Sequence, residues 1–426
     1  MVVAILVIAQ VVLPRRYGFL PLLIAACHLG NQEIIGEFTI VRILIIVGLL
    51  RAIAGGYFVW SPKCKLDVIV AILCGFIILS AAGHNSESYN PWIAHMGWVY
   101  NILGSYLYGR AYLTFREDFR RFVCLVPIVL IPLAAGLVVE KTTQLNSYFV
   151  FGSVSRVSAM RDDKVRASGP FRHPILAGTM GAVSIPFAAF LMRRRSKVLG
   201  ACGLMACAAI VISSNSSGPM TAAMMSVLGF LLWKWKDWLG SLRKVAIALA
   251  LLYWVVKGRG PWFLMASIDL TGGSTGWHRA HLIDQAYHHL DEWWLCGTDF
   301  TRHWMATGVS WSPDHADITN YFLHLGVLGG LPVMITFIMA LVKGFSLIGK
   351  SLALEEERGD PDDAVLLLWC AGISLATHAL SFVSISYFDQ MFVPFYLLLA
   401  AIPGLTAKDP TEGSEDSEWE CERQVA

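Results

Sequence analysis

About a dozen apolar runs, set apart by short polar connectors, dominate this chain and leave it few ways to fold. A helix that spans a bilayer needs ~20 apolar residues, and somewhat shorter or tilted ones are tolerated. Runs of this kind lie at about 2–13, 17–30, 34–54, 66–83, 92–114, 119–139, 174–192, 197–213, 218–234, 242–257, 318–345, 364–383 and 388–405. The first two are short for a span and read as two thin helices or one hairpin, so the count is 12 or 13. The expected fold class is therefore an all-α integral membrane protein, with a polytopic membrane domain over residues 1–407. Residues 408–426 carry Asp409, Glu412, Glu415, Asp416, Glu418, Glu420 and Glu422 without an apolar run, the composition of a solvated, disordered tail.

Composition agrees. Only 15% of the residues are charged and 56% are hydrophobic, whereas soluble chains average roughly 25% charged. A net charge of +2 offers no basic surface for nucleic acid. The nine cysteines lack CxxC spacing and mostly sit inside apolar runs, as small buried hydrophobes do. The chain is apolar from Val2, without a basic n-region or an A-x-A site, which reads as a retained membrane segment. No long internal repeat is visible, so an inverted-repeat transporter finds no support.

Lysines and arginines in short loops set the orientation. Arg15–Arg16, Lys63–Lys65, Arg116–Arg121, Arg193–Lys197 and Lys234–Lys244 alternate correctly as cytoplasmic. Segments 31–37, 84–91, 140–173, 214–217, 258–317 and 384–387 then fall on the outer side. Two of these, 140–173 and 258–317, exceed the ~12–15 residues of a simple connector. The second holds Trp262, Trp277, Trp293, Trp294, Trp304 and Trp311 and six of the twelve histidines, a composition suited to a folded cap at the membrane interface.

Within the first long loop, "RVSAMRDDKVRASGPFRHP" places Arg156, Arg161, Lys164, Arg166, Arg172 and His173 outside, against the positive-inside tendency. Asp162 and Asp163 offer partners to Arg161 and Lys164. Arg166 and Arg172 instead flank the Gly169–Pro170 turn before a helix opened by Pro174, and guanidinium groups beside a helix N-terminus suit a phosphate. The second loop holds an interfacial amphipathic helix from Trp277, capped by Ser274 or Thr275. Arg279 lies in its first turn, where the helix dipole disfavours a cation unless an anion is bound. His281, Asp284 and His288 share a face of that helix but lack the H-E-x-x-H pattern, so no metal is expected. His315, Asp317, Asn320 and His324 cluster where the loop enters the next helix. His324 ranks first as a general base, ahead of Asp317 and His315, with Asn320 on its own face. Gly326, Gly329 and Gly330 read as helix-packing residues. "SSNSSGPM" from Ser213 is a small polar turn with no base beside it in sequence, and "EKTTQLN" from Glu140 reads as a cap.

The order of these motifs resembles the bacterial O-antigen ligase and O-antigen polymerase-like membrane proteins, from about Arg42 to Ile338. The carrying segments are "RASGPFRHPILAG", "SSGP", "STGWHR", "WLCGT" and "DITNYFL…GVLGGL". The resemblance implies a transferase in the bacterial inner membrane, its active face extracytoplasmic. Such an enzyme moves a glycan from an undecaprenyl-diphosphate carrier to a lipid, glycan or protein acceptor, without metal or other cofactor. It further implies that Arg166 and Arg279 bind the diphosphate, with Gly169 and His173 in support; Arg172, beside the same turn, reads as a weaker third member, and Asn320 as a supporting residue by its spacing with His324. The family's "H-N-x-x-L" is "T-N-Y-F-L" here, with Thr319 at the histidine position, and its "S-R-G-A" turn is "S-S-G-P", with Ser217 at the arginine position. The rival class is a transporter or flippase of the same lipid-linked glycan. A transporter should carry ionisable groups near the bilayer midplane. The main intramembrane charges here, Arg42, Arg51 and Arg110, mostly lie near segment ends.

Overall fold

The computed structural model describes residues 2–406 except 32, 36–37, 59–60, 87–88, 268–275, 311 and 359–361. The acidic tail, Trp311 and the candidate caps Ser274 and Thr275 lie outside the described residues. Sixteen α-helices follow one another among the described residues. They are α1 (Val2–Val12), α2 (Leu20–His28), α3 (Ile40–Ala54), α4 (Lys65–Ser80), α5 (Pro91–Val99), α6 (Ser105–Tyr112), α7 (Arg116–Thr143), α8 (Pro174–Arg194), α9 (Lys197–Ser214), α10 (Ser217–Leu231), α11 (Leu239–Lys257), α12 (Gly276–His288), α13 (Leu290–Trp293), α14 (Tyr321–Arg358), α15 (Asp362–Ser384) and α16 (Phe392–Leu405). Three two-stranded antiparallel hairpins decorate the connections.

Seven of these helices are long and apolar enough to cross a membrane, fewer than the 12 or 13 expected. The difference is one of length. The runs near the N-terminus form two separate helices of 11 and 9 residues, α1 and α2, parted by Pro14 and a turn at Arg15–Tyr17. At 1.5 Å per residue an 11-residue helix reaches about half of a ~30 Å hydrocarbon core. A π-turn at Tyr100–Gly104 interrupts the run at 92–114. The architecture is that of an all-α protein compatible with a bilayer. Helix α11 makes the point most directly: none of its residues is buried, and Val245, Ile247, Leu249, Leu252, Val255 and Val256 all face outward. Acyl chains, not water, suit such a surface.

Helix α8 forms the centre. Its glycines let neighbours approach closely: a Cβ at Gly178 would lie 2.4 Å from Ser214 Oγ and 2.7 Å from Pro219, and one at Gly181 2.9 Å from Cys207 O. Polar side chains then tie the helices together in the apolar interior. Ser226 Oγ donates to Ala182 O (3.0 Å) and meets Thr377 Oγ1 (2.8 Å), while Ser374 Oγ donates to Val183 O (2.8 Å). Aromatic rings of Tyr321, Phe382, Tyr387 and Phe395 pack edge to face and tilted where α14, α15 and α16 meet.

Helix α14 is broken at Gly329 and Gly330, so these two glycines are more than packing residues. Gly330 has φ +76°, and a Cβ there would lie 2.3 Å from Leu295 O. The segment after α13 inserts at the break: Leu331 N donates to Trp294 O and Thr298 N to Val327 O. A buried clasp holds it there, with Asp299 accepting from Tyr89 Oη, the Asn85 amide and His84 Nδ1. Gly326 is a packing position, with the Trp293 ring in the space of its missing Cβ.

All six segments expected on the outer side meet at one end of the bundle. Arg172 Nη2 reaches Asn31 O, His84 joins Asp299, and the remaining four segments share one cavity. Basic loops gather with acidic partners elsewhere, through Arg15–Asp118, Arg116–Glu355, Arg194–Asp363 and Lys236–Glu356. In a cysteine-free background, Met160→Cys should react with an impermeant maleimide in intact cells, and Lys197→Cys only after permeabilisation. The reverse pattern would invert the orientation.

Candidate functional site

The shared cavity has a volume of about 380 Å³ and is built by four of the segments expected on the outer side. Segment 140–173 supplies Arg161, Asp162, Lys164, Arg166 and His173; segment 214–217 supplies Asn215, Ser216 and Ser217. His278, Arg279 and Asp317 come from 258–317, and Ser384 and Ile385 from the end of α15, with Thr319 at the approach to α14.

The cations of the first segment reach the cavity on a hairpin. Strand Ala159–Arg161 pairs antiparallel with Lys164–Arg166, in the register Arg161↔Lys164 and Ala159↔Arg166. Directly paired residues share a face and alternate residues return to it, so Arg161, Lys164 and Arg166 stand on one face. Met160 and Val165 take the other. Asp162 and Asp163 make the tight turn with φ of +51° and +57°, which short polar side chains tolerate. Arg161 pairs with Asp162 at 3.7 Å.

A buried carboxylate anchors the stretch after the hairpin. Glu140, fully buried near the end of α7, accepts from Ser158 Oγ (3.0 Å), Ser168 N (3.1 Å) and Gly169 N (2.8 Å). Asn146 Nδ2 donates to Gly169 O (2.7 Å), and Ala167 N to Ser213 O (3.0 Å). Gly169 itself has φ +57°, so its supporting role is backbone geometry. These bonds hold Arg166 against the α9–α10 turn, where Asn215 adopts φ +43° and Arg166 Nη2 donates to Ser216 Oγ at 2.7 Å.

Three helices begin at the cavity: α8 through His173 and Ile175, α10 through Ser216 and Ser217, and α12 through His278 and Arg279. Their amide ends add partial positive charge to that of the side chains. His173 caps α8, its Nδ1 accepting from Ile175 N at 3.2 Å, which leaves the ring proton on Nε2. Burial, aided by nearby Arg166, lowers its pKa to about 4, so the ring is a neutral donor at physiological pH. Burial and the charge of Arg161 also lower the pKa values of Arg166 and Arg279, the mark of guanidinium groups held without full compensation. Four basic side chains face two carboxylates, Asp162 and Asp317, in the lining.

Four buried polar atoms of this lining have no hydrogen-bond partner among the described residues: Arg166 Nε, His278 Nε2, Arg279 Nε and Thr319 Oγ1. Each orphaned group costs about 1–3 kcal/mol, and more when charged. Two guanidinium edges, a ring nitrogen and a hydroxyl in one cavity form a donor-rich set suited to a multivalent oxyanion.

The other expected site residues divide. Asp317 lines the cavity and is exposed. Burial by surrounding protein pushes its carboxyl up, and His278 draws it back. His315 and His324 do not line it. His315 Nδ1 meets Ser312 Oγ at 2.7 Å, and His324 packs between Trp98 and Tyr321, with ring centroids at 4.9 and 6.3 Å. Asn320 caps α14 by accepting from Leu323 N (3.1 Å), which explains its buried position. Arg172 turns away to Asn31 O (3.2 Å), while its amide donates to Asp389 Oδ2 (3.0 Å). Glu140, Ser216 and His278 were not singled out from the sequence as site residues. Only the neighbouring Arg279 and the small polar turn hinted at the last two.

Glu140→Ala would orphan two amides and free the stretch that carries Arg166. A loss of about 1–3 kcal/mol per amide is expected, with faster hydrogen exchange at residues 158–169. Unchanged exchange there would remove Glu140 as the anchor.

The chain matches no family model, and no curated protein matches it.

Proposed function

We propose that this protein is a membrane glycan transferase that takes a saccharide from a polyprenyl-diphosphate carrier, undecaprenyl diphosphate in a bacterial inner membrane, and passes it to a glycan, lipid or protein acceptor. The observation that carries this reading is the convergence of Arg166 and Arg279, each with an unpartnered buried Nε, on one cavity beside three helix N-termini. A diphosphate answers all of these donors at once. A lipid-linked donor also explains why the cavity belongs to a bundle with membrane-length helices.

In this reading the diphosphate is the leaving group. Negative charge grows on the phosphate oxygen that was bonded to the sugar as its bond to the anomeric carbon breaks, and fixed cations stabilise that charge without reorganising. The acceptor hydroxyl attacks the anomeric carbon and gives up its proton. Asp317 is the favoured base, because it alone of Asp317, His315 and His324 lines the cavity. His173, neutral, donates through Nε2 to the ligand, and Ser216 orients Arg166.

Purified protein in proteoliposomes, supplied with a polyprenyl-diphosphate oligosaccharide and an acceptor glycan, should form the glycosylated product and free polyprenyl diphosphate. Asp317→Asn should cut turnover about 10²–10⁴-fold while donor binding persists, because the base acts in the transition state. The acid limb of the wild-type rate should lie above the ordinary aspartate range, since the carboxyl must ionise to act, and should vanish in Asp317→Asn. Arg279→Lys should also impair transfer, the planar fork being lost. Normal transfer in both variants, or movement of the donor between leaflets without transfer, would contradict the proposal.

A further inference from the structure

The outer segment holds a second convergence of chemistry, apart from the cavity. Helix α13 follows directly on α12, and a short 3-10 turn at Arg302–Trp304 returns beside it. Between them, His289, Glu292 and His303 bring one ligand atom each to within 4.8 Å of one another. His289 Nδ1 lies 2.8 Å from Glu292 Oε1, and His303 Nε2 lies 3.0 and 2.9 Å from the two carboxylate oxygens. The two imidazoles stand perpendicular, with centroids 4.9 Å apart.

We propose that His289, Glu292 and His303 form a zinc site that fastens the outer segment. Two imidazoles and a carboxylate are the donor set that Zn²⁺ favours, at about 2.0–2.2 Å from each ligand atom, with water completing a tetrahedron. Ligands on such a sphere stand roughly 3.3 Å apart, and both contacts to Glu292 are already that close. The ion takes the place of the protons that the two rings direct at the carboxylate, and each neutral ring then carries its single proton on its other nitrogen.

Supporting contacts are present as well. The buried Trp304 donates its Nε1 proton to Glu292 Oε2 at 3.0 Å, fixing the carboxylate from behind, and its indole stacks on His289 at 11°. Partners of this kind orient metal ligands.

The position suggests what the ion does. None of the three ligands lines the cationic cavity, so the ion braces structure and leaves the transfer chemistry to the cavity. It ties α13 to the turn at Arg302–Trp304. Thr301 beside that turn accepts from Ala316 N through Oγ1 (2.9 Å) and donates its amide to Asp314 O (2.9 Å). Both partners belong to the strand Ser312–Ala316, which leads directly to Asp317. The site differs from His281, Asp284 and His288, the trio considered from sequence spacing. Of these, His281 stacks on Trp277, while His288 Nδ1 bonds the Asp284 carbonyl.

Full-length protein without a polyhistidine tag is titrated with Zn²⁺ against a chromophoric chelator. One equivalent should bind. Trp304→Phe should weaken binding by about 10–100-fold, as loss of an orienting partner does, and His303→Ala and Glu292→Gln should weaken it further. His288→Ala should bind normally. Since His303 is half exposed, its loss should leave the fold intact. Absence of zinc binding, or binding that survives His303→Ala and Glu292→Gln, overturns the proposal; loss only in His288→Ala moves the site to the other trio. The readout is independent of glycan transfer, so either reading fails without the other.

Discussion

Positive charges drawn into one half-buried cavity repel each other, and the rest of this end of the bundle is arranged to hold them there. Arg166 is fastened through its own loop: Glu140 secures the amides of Ser168 and Gly169, and Ser216 receives its guanidinium. Arg279 is fixed by its place in the first turn of α12, opposite the start of α10. Neither guanidinium forms an ion pair with a carboxylate among the described residues. A bound polyanion would turn this repulsion into attraction, and the more so where protein lowers the local dielectric.

The scaffold below explains why the cavity keeps its shape. Glycine-mediated packing of α8 against α9 and α10 sets where two of the three helix N-termini lie. The Asp299 clasp and the broken α14 tie the 258–317 segment to the bundle, so α12 is docked rather than free. The cavity is therefore a product of tertiary packing, with lining residues from Arg161 to Phe388 brought together from five stretches of chain.

Some of this was legible in the sequence for physical reasons. Apolar runs announce membrane helices, though not their lengths, because a π-turn or a proline-led turn leaves hydropathy unchanged. Arg166 and Arg279 stood out because each violates a local rule, the positive-inside tendency or the helix dipole. Arg172 violates the same tendency, and nothing local distinguishes it from Arg166. Its side chain turns to Asn31 O, 141 residues away. His324 was favoured by helical spacing with Asn320, but the spacing cannot reveal that Trp98 and Tyr321 enclose its ring. The Glu140 anchor was equally hidden, since its partners lie 18 to 29 residues along the chain.

The proposed transfer requires Arg166 and Arg279 to grip one diphosphate together. The decisive experiment is a double-mutant cycle on the affinity for a polyprenyl diphosphate, with Arg166→Ala, Arg279→Ala and the double variant. Each single change should weaken binding roughly 10–150-fold, the worth of about 1.5–3 kcal/mol for a charged hydrogen bond. The double change should cost clearly less than the product of the two, because the groups share a ligand. Affinity unchanged in either single variant, or two losses that multiply independently, would contradict it.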